Sequence, residues 1–104
     1  MEKYHIDITE LAEKDLFEIG MYISKELLEP EIAKKTVSKI ADAIFTLEEM
    51  PLRNTVVSDE RLASKDIRKI IVENYMIFYI VNYKSKKVTI VRILYAKRNW
   101  IDIL

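Results

Sequence analysis

The residues best equipped for chemistry in this chain are cations set among aromatic rings. All the arginines, Arg53, Arg61, Arg68, Arg92 and Arg98, fall in its second half, together with Tyr75, Tyr79, Tyr83, Tyr95 and Trp100. Such a mixture can neutralise phosphates and stack on bases. Residues 1–52 hold 6 Lys/Arg against 12 Asp/Glu, whereas residues 53–104 hold 11 against 5, so a formal net charge of zero divides into an acidic and a basic half. Two readings stand on charge alone. Either the basic half meets a polyanion or an acidic protein, or a basic sheet neutralises acidic helices within one fold.

Other chemistries are poorly provided for. With His5 as the single histidine, no cysteine and no carboxylate pair at ligand spacing, neither a metal site nor a cofactor is expected. Gly20 is the only glycine, which excludes the glycine-rich loops that wrap phosphates in P-loop and dinucleotide sites. Glu48-Glu49 and the Glu29/Glu31 pair read as helix-end charges rather than as a glycosidase pair. The absence of cysteine fits a reducing cytoplasm. Met1 to His5 lacks the apolar core of a leader, and no apolar run reaches the roughly 20 residues that span a bilayer, so the expectation is a soluble cytoplasmic protein with no membrane partner. At 104 residues and 50% apolar content, 1–104 reads as one domain with a modest core.

The elements that must position the cations follow from periodicity. Tyr4 to Ile8 alternates polar with apolar and reads as a short strand. Thr9 is placed to cap a helix over about 10–27, with Glu10, Glu13 and Asp15 near its positive end and Ala12, Leu16, Ile19, Ile23 and Leu27 forming one stripe. Pro30 suits the first turn of a second helix, on which Ala33, Val37, Ile40, Ile44 and Leu47 repeat that spacing up to Met50-Pro51. A short turn between two such helices predicts an antiparallel hairpin. A polar connection from Pro51 to about Lys65 follows. Three β-rich runs, 67–72, 75–81 and 88–95, then read as an antiparallel meander joined by tight turns. The middle run is apolar on both faces, which predicts a central strand covered on both sides. Residues 97–104 can form one terminal helical turn. The fold class is α+β: an N-terminal strand and a helical hairpin on a mainly antiparallel sheet of about four strands.

This order of elements, with Ile67-Arg68-Lys69-Ile70, Glu73-Asn74-Tyr75-Met76-Ile77-Phe78-Tyr79 and Val91-Arg92-Ile93-Leu94-Tyr95-Ala96-Lys97-Arg98-Asn99-Trp100, resembles the RelE/ParE superfamily of bacterial type II toxin–antitoxin toxins over nearly the whole chain. The resemblance implies a growth-arresting toxin neutralised by a cognate antitoxin, in a toxin–antitoxin hetero-oligomer. RelE-like members cleave mRNA on the ribosome without a metal, using the ribose 2′-OH as nucleophile. ParE-like members keep the fold but poison DNA gyrase as binding modules.

Residue by residue, Arg98 falls where the ribonucleases carry an arginine at the end of the last strand, and Lys69 falls near a strand lysine of theirs. Met76, by contrast, stands where they commonly have an arginine, and Leu104 is near a functional tyrosine of their tail. The departures favour the ParE-like reading, with an mRNA endoribonuclease as the alternative. For an endoribonuclease the candidate catalytic residues are Arg98, Lys69 and Arg68. For target contact they are Arg92, Lys97, Arg98, Trp100 and Arg53. For Arg68 and Arg92 a second reading stays open, in which helix carboxylates balance them inside the fold. Phe17, Met21, Leu28 and Phe45 lie off the main helix stripes and are the candidates for antitoxin contact, against ordinary burial under the sheet.

Overall fold

The computed structural model describes residues 3–54, 56–57, 66–98 and 103. Strand β1 (His5–Ile8) leads into helix α1 (Glu10–Met21), which continues as a π-helical segment, Tyr22–Glu26. Helix α2 (Pro30–Phe45) follows, then the 3-10 turns Thr46–Glu48 and Pro51–Arg53, and the strands β2 (Arg68–Val72), β3 (Tyr75–Asn82) and β4 (Lys87–Tyr95). The sheet runs β1-β4-β3-β2, with β1 parallel to β4 and the other contacts antiparallel. This is the expected α+β arrangement. Of the connection expected over 51–65, residues 55 and 58–65, including Arg61, lie outside the described residues; so do 99–102 and 104 of the expected terminal turn.

Local chemistry sets the element ends. The Thr9 hydroxyl accepts from the Ala12 N–H at 3.1 Å, capping α1, and Pro30 occupies the first turn of α2, where a missing N–H costs nothing. Helix 1 departs from the expected 10–27. After Met21 it widens into π geometry, and Leu27 N–H then bonds back to the Tyr22 carbonyl at 3.2 Å. The wider turn shifts the angular phase, so Ile23 is still buried while Leu27, expected on the same stripe, is exposed. Leu28 stops the helix in the left-handed region, at φ 55°.

Alternation on β3 divides the interior in two. Ile77 and Tyr79 face α1 and α2 and pack with Ala12, Ile40 and Ile44; Met76 and Phe78 form a second cluster with Val57, Ile67 and Leu94. The covering expected on the second face is therefore supplied by the segment ahead of β2, with Ile103 packed against it. The buried Tyr79 hydroxyl donates to the Pro51 carbonyl at 2.7 Å, which pins the 3-10 turn to the sheet.

Strand β4 carries a bulge. Phe78 pairs with Arg92 but Tyr79 pairs with Ile90, leaving Val91 as the extra residue. Ile90 and Ile93, three apart, consequently share the helix-facing cluster, which unbroken alternation would forbid. Helix α1 and its N-cap supply the polar groups that the bulge needs: the Thr9 hydroxyl donates toward the Ile90 and Val91 carbonyls at 2.9 and 3.1 Å, and Asp15 accepts from the Ile93 N–H at 3.0 Å.

Candidate functional site

Those of the expected target-contact residues that are described differ in their surroundings. Lys97 and Arg98 are exposed in the turn that leaves β4, where the Arg98 N–H donates to the Tyr95 carbonyl at 3.0 Å. Trp100, expected beside them, lies outside the described residues, and of Arg53 only the backbone, in its 3-10 turn, is described. Arg92 is committed to the interior. Its Nε and Nη2 donate to Asp15 at 2.7 and 2.8 Å, a bidentate pair whose side chains are only 19% and 9% exposed. The Asp15 hydrogen bond holds the guanidinium above its ordinary value, against the opposing effect of burial. This is a correction to Arg92 as a target contact: a helix carboxylate balances it, the second of the two readings that the sequence leaves open.

Arg68 also turns inward, to different partners. Its Nη1 donates to the Leu52 carbonyl at 3.3 Å and to that of Asn54, so it ties β2 to the preceding connection rather than to a helix carboxylate. Its neighbour Lys69 pairs with Phe78 in the β2–β3 ladder and is half-buried. Met76 is 6% exposed within the second apolar cluster. The position that the sequence resemblance matches to an arginine of the ribonucleases is thus a buried thioether among apolar side chains.

The residues proposed for a partner on the helical face are all exposed: Phe17 by 67%, Met21 by 38%, Leu28 by 79% and Phe45 by 55%. Ordinary burial under the sheet does not account for them. Phe17 and Met21 line one apolar hollow with Leu16, Gly20 and Val37, and an adjoining hollow continues past Gly20 and Val37 to Ala33 and Ala41. Gly20 makes the continuity possible, since a Cβ there would stand 3.2 Å from Val37 Cγ2. Leu28 and Phe45 line neither hollow; Phe45 sits near Lys3 and Glu49.

Family comparison agrees with this architecture. The sequence model of the ParE toxin of type II toxin–antitoxin systems, parDE, matches residues 6–100. The chain belongs to the ParE toxin family. Its fold is shared with the chromosomal ParDE system from P. aeruginosa at TM-score 0.74 and 22% identity, over 91% of this chain and 98% of that one. The toxin–antitoxin complex RelBE2 from Mycobacterium tuberculosis matches at TM-score 0.65 and 19% identity, over 89% and 98%. A mutant of the E. coli toxin RelE in its free state matches at 0.67 and 16%, over 97% and 92%. No curated protein matches the chain in sequence. The ParE-family chain is thus a type II toxin–antitoxin toxin of the ParE/RelE kind.

Among the described residues no group of histidines and carboxylates is assembled to hold a metal ion, and no helix is long and apolar enough to cross a membrane. Sequence reasoning missed Asp15, read only as a helix-dipole charge. The signal for Asp15 was weak, one carboxylate just beyond the first turn of a helix beside the apolar stripe.

Proposed function

We propose that this ParE-family chain arrests growth by binding DNA gyrase, using the exposed Lys97 and Arg98 with Trp100, and that a cognate antitoxin neutralises it by laying an apolar segment along the Phe17–Met21 hollow. The observation that carries the gyrase reading over RNA cleavage is Met76. A phosphoryl-transfer transition state needs oriented cations around the phosphorus, and loss of one such donor costs about 3 kcal/mol, or roughly a hundredfold in rate. Here that position is filled by a side chain packed against Phe78 and Leu94.

Antitoxin binding is supported by the exposed apolar ground on α1 and by the P. aeruginosa and M. tuberculosis relatives, described as toxin–antitoxin systems and complexes. Amphipathic segments that fold on binding use hollows of this shape, burying anchors at helical spacing.

The deciding experiment is induction of the chain in a bacterial host beside the Lys97→Ala/Arg98→Ala variant. Gyrase–DNA cleavage complexes that accumulate with the parent and vanish with the variant support the proposal. Growth arrest with codon-phased new mRNA ends and no cleavage complexes replaces it with the endoribonuclease reading, which Arg98 and Lys69 favour by position. Arrest that the variant leaves intact removes Lys97 and Arg98 from the site.

A further inference from the structure

On the helix-facing side of the sheet, where α1 passes into its π segment, a groove of about 660 Å³ opens between that segment and the ends of β3 and β4. This lies within the usual size range of small-ligand sites. Tyr22, Tyr75 and Tyr95 line it, with Glu18 on the helical wall and Asn74 and Arg98 on the sheet wall. Tyr75 and Tyr95 meet edge to face with centroids 5.8 Å apart, so one ring braces the other. Tyr22 is the first residue of the π segment, a helix distortion that recurs at functional sites because it redirects side chains.

The polar groups on the walls narrow the ligand class. Asp15 also lines the groove, but Arg92 and the Ile93 N–H occupy its carboxylate. That leaves one carboxylate and one cation, beside the neutral Asn74 amide and the tyrosine hydroxyls. Glu18 makes no side-chain hydrogen bond among the described residues, only a loose 4.0 Å pairing with the exposed Lys14 and a longer-range attraction to Arg92, and Arg98 makes no side-chain hydrogen bond or ion pair among them. A ligand that is only cationic would face Arg98, and one that is only anionic would face Glu18. A ligand with flat π faces, two adjacent N–H donors and a separate negative charge matches the rings and both charged groups. Guanine is the base whose pairing edge offers adjacent N1–H and N2–H donors to a carboxylate, whereas adenine and cytosine set an acceptor beside their amino group.

We propose that this groove binds a guanine nucleotide unit, with the base against the tyrosine rings, its pairing edge on Glu18 and its phosphate on Arg98. The site lies on the opposite side of the sheet from Met76 and shares only Arg98 with the proposed gyrase contact, so the Tyr22, Tyr95 and Glu18 variants test it apart from that reading. The same chemistry is offered by a free guanine nucleotide and by an unpaired guanosine within RNA.

The test is binding to the purified chain of GMP, guanosine and AMP, and of the RNA pentamers UUGUU and UUAUU, followed by tyrosine fluorescence and calorimetry. Tyr22 and Tyr95 are exposed, so Tyr22→Leu and Tyr95→Leu leave the buried core in place. Each should weaken GMP binding by about tenfold or more, since a base-stacking ring is lost. Glu18→Gln should remove the preference for GMP over AMP, and Arg98→Ala should bring GMP down to the affinity of guanosine. Saturable GMP binding with these losses supports a free nucleotide as ligand; binding of UUGUU alone, with the same losses, supports guanosine in RNA. No saturable binding of either at millimolar concentration, or binding that both tyrosine variants leave unchanged, overturns the proposal.

Discussion

Asp15 on α1 and Arg92 on β4 are joined by two hydrogen bonds, at 2.7 and 2.8 Å, across 77 residues of sequence. The same carboxylate takes the Ile93 N–H at the bulged end of β4, where the parallel partner β1 has already stopped at Ile8 opposite Ile90. One side chain therefore satisfies a buried guanidinium and a strand edge together. Removing it strands both groups. Asp15→Ala should cost about 3 kcal/mol of stability, read as a lowered urea midpoint at unchanged slope. Asp15→Ala combined with Arg92→Met should cost clearly less than the two single changes added, because the second removes the charge that the first leaves unpaired. Additive costs would show that the pair does not act as a unit. Since the Arg92 pKa is raised on folding, its contribution is complete at neutral pH and is lost only as the guanidinium deprotonates in strong alkali.

Tyr75 gives a second pH effect, within experimental reach. Burial, reinforced by Tyr95, Tyr22 and Glu73, raises its phenol above the ordinary value of 10.0. The unfolded chain then loses this proton first. The contribution to stability is fully present below about pH 10 and falls as pH rises through the folded-state value. Tyr75→Phe should flatten part of the alkaline decline in the urea midpoint; an unchanged decline would assign it to other groups.

Leu28 holds φ 55° just beyond the π segment, while the Glu29 N–H bonds back to the Ile23 carbonyl at 3.1 Å. A branched side chain is strained in that region and glycine is not. Leu28 is also highly exposed, so truncating it gives up little packing. Leu28→Gly should raise stability by about 0.5–1 kcal/mol, measured by urea unfolding. If Leu28 also meets the antitoxin, the same variant will bind it more weakly, a second readout from one protein.

Phe17 and Met21 carry the antitoxin proposal. A partner segment seated on them would bury an aromatic anchor whose loss typically costs about 2 kcal/mol. Phe17→Ser should weaken antitoxin binding by about thirtyfold at that cost while leaving the urea midpoint unchanged. Full affinity in Phe17→Ser/Met21→Ser would move the antitoxin to another surface.

Tyr79→Phe isolates the buried hydroxyl that holds the Pro51 turn at 2.7 Å. It leaves the Pro51 carbonyl without that donor, for a loss of about 1–2 kcal/mol. The loss should come with faster hydrogen exchange at Val57, whose N–H bonds to the Ile67 carbonyl at 2.9 Å in the segment that this turn leads into.

What the sequence determined by itself is what short-range periodicity encodes. The expected strands 67–72, 75–81 and 88–95 differ by a residue at one end from β2, β3 and β4, and Thr9 and Pro30 mark both helix starts. Burial energy grows with apolar area and repeats with the period of each element, so a local pattern is enough to read it. Tertiary structure decided the polar relationships and the local irregularities. Nothing near Arg92 in sequence marks Asp15 as its partner, no spacing reveals Val91 as the bulge, and Leu27 falls out of register only because the helix widens at Tyr22. The three tyrosines of the groove come from a helix end and two different strands. A hydrogen bond or a ring contact depends on positions fixed to within a fraction of an ångström, and those exist only once the elements have packed.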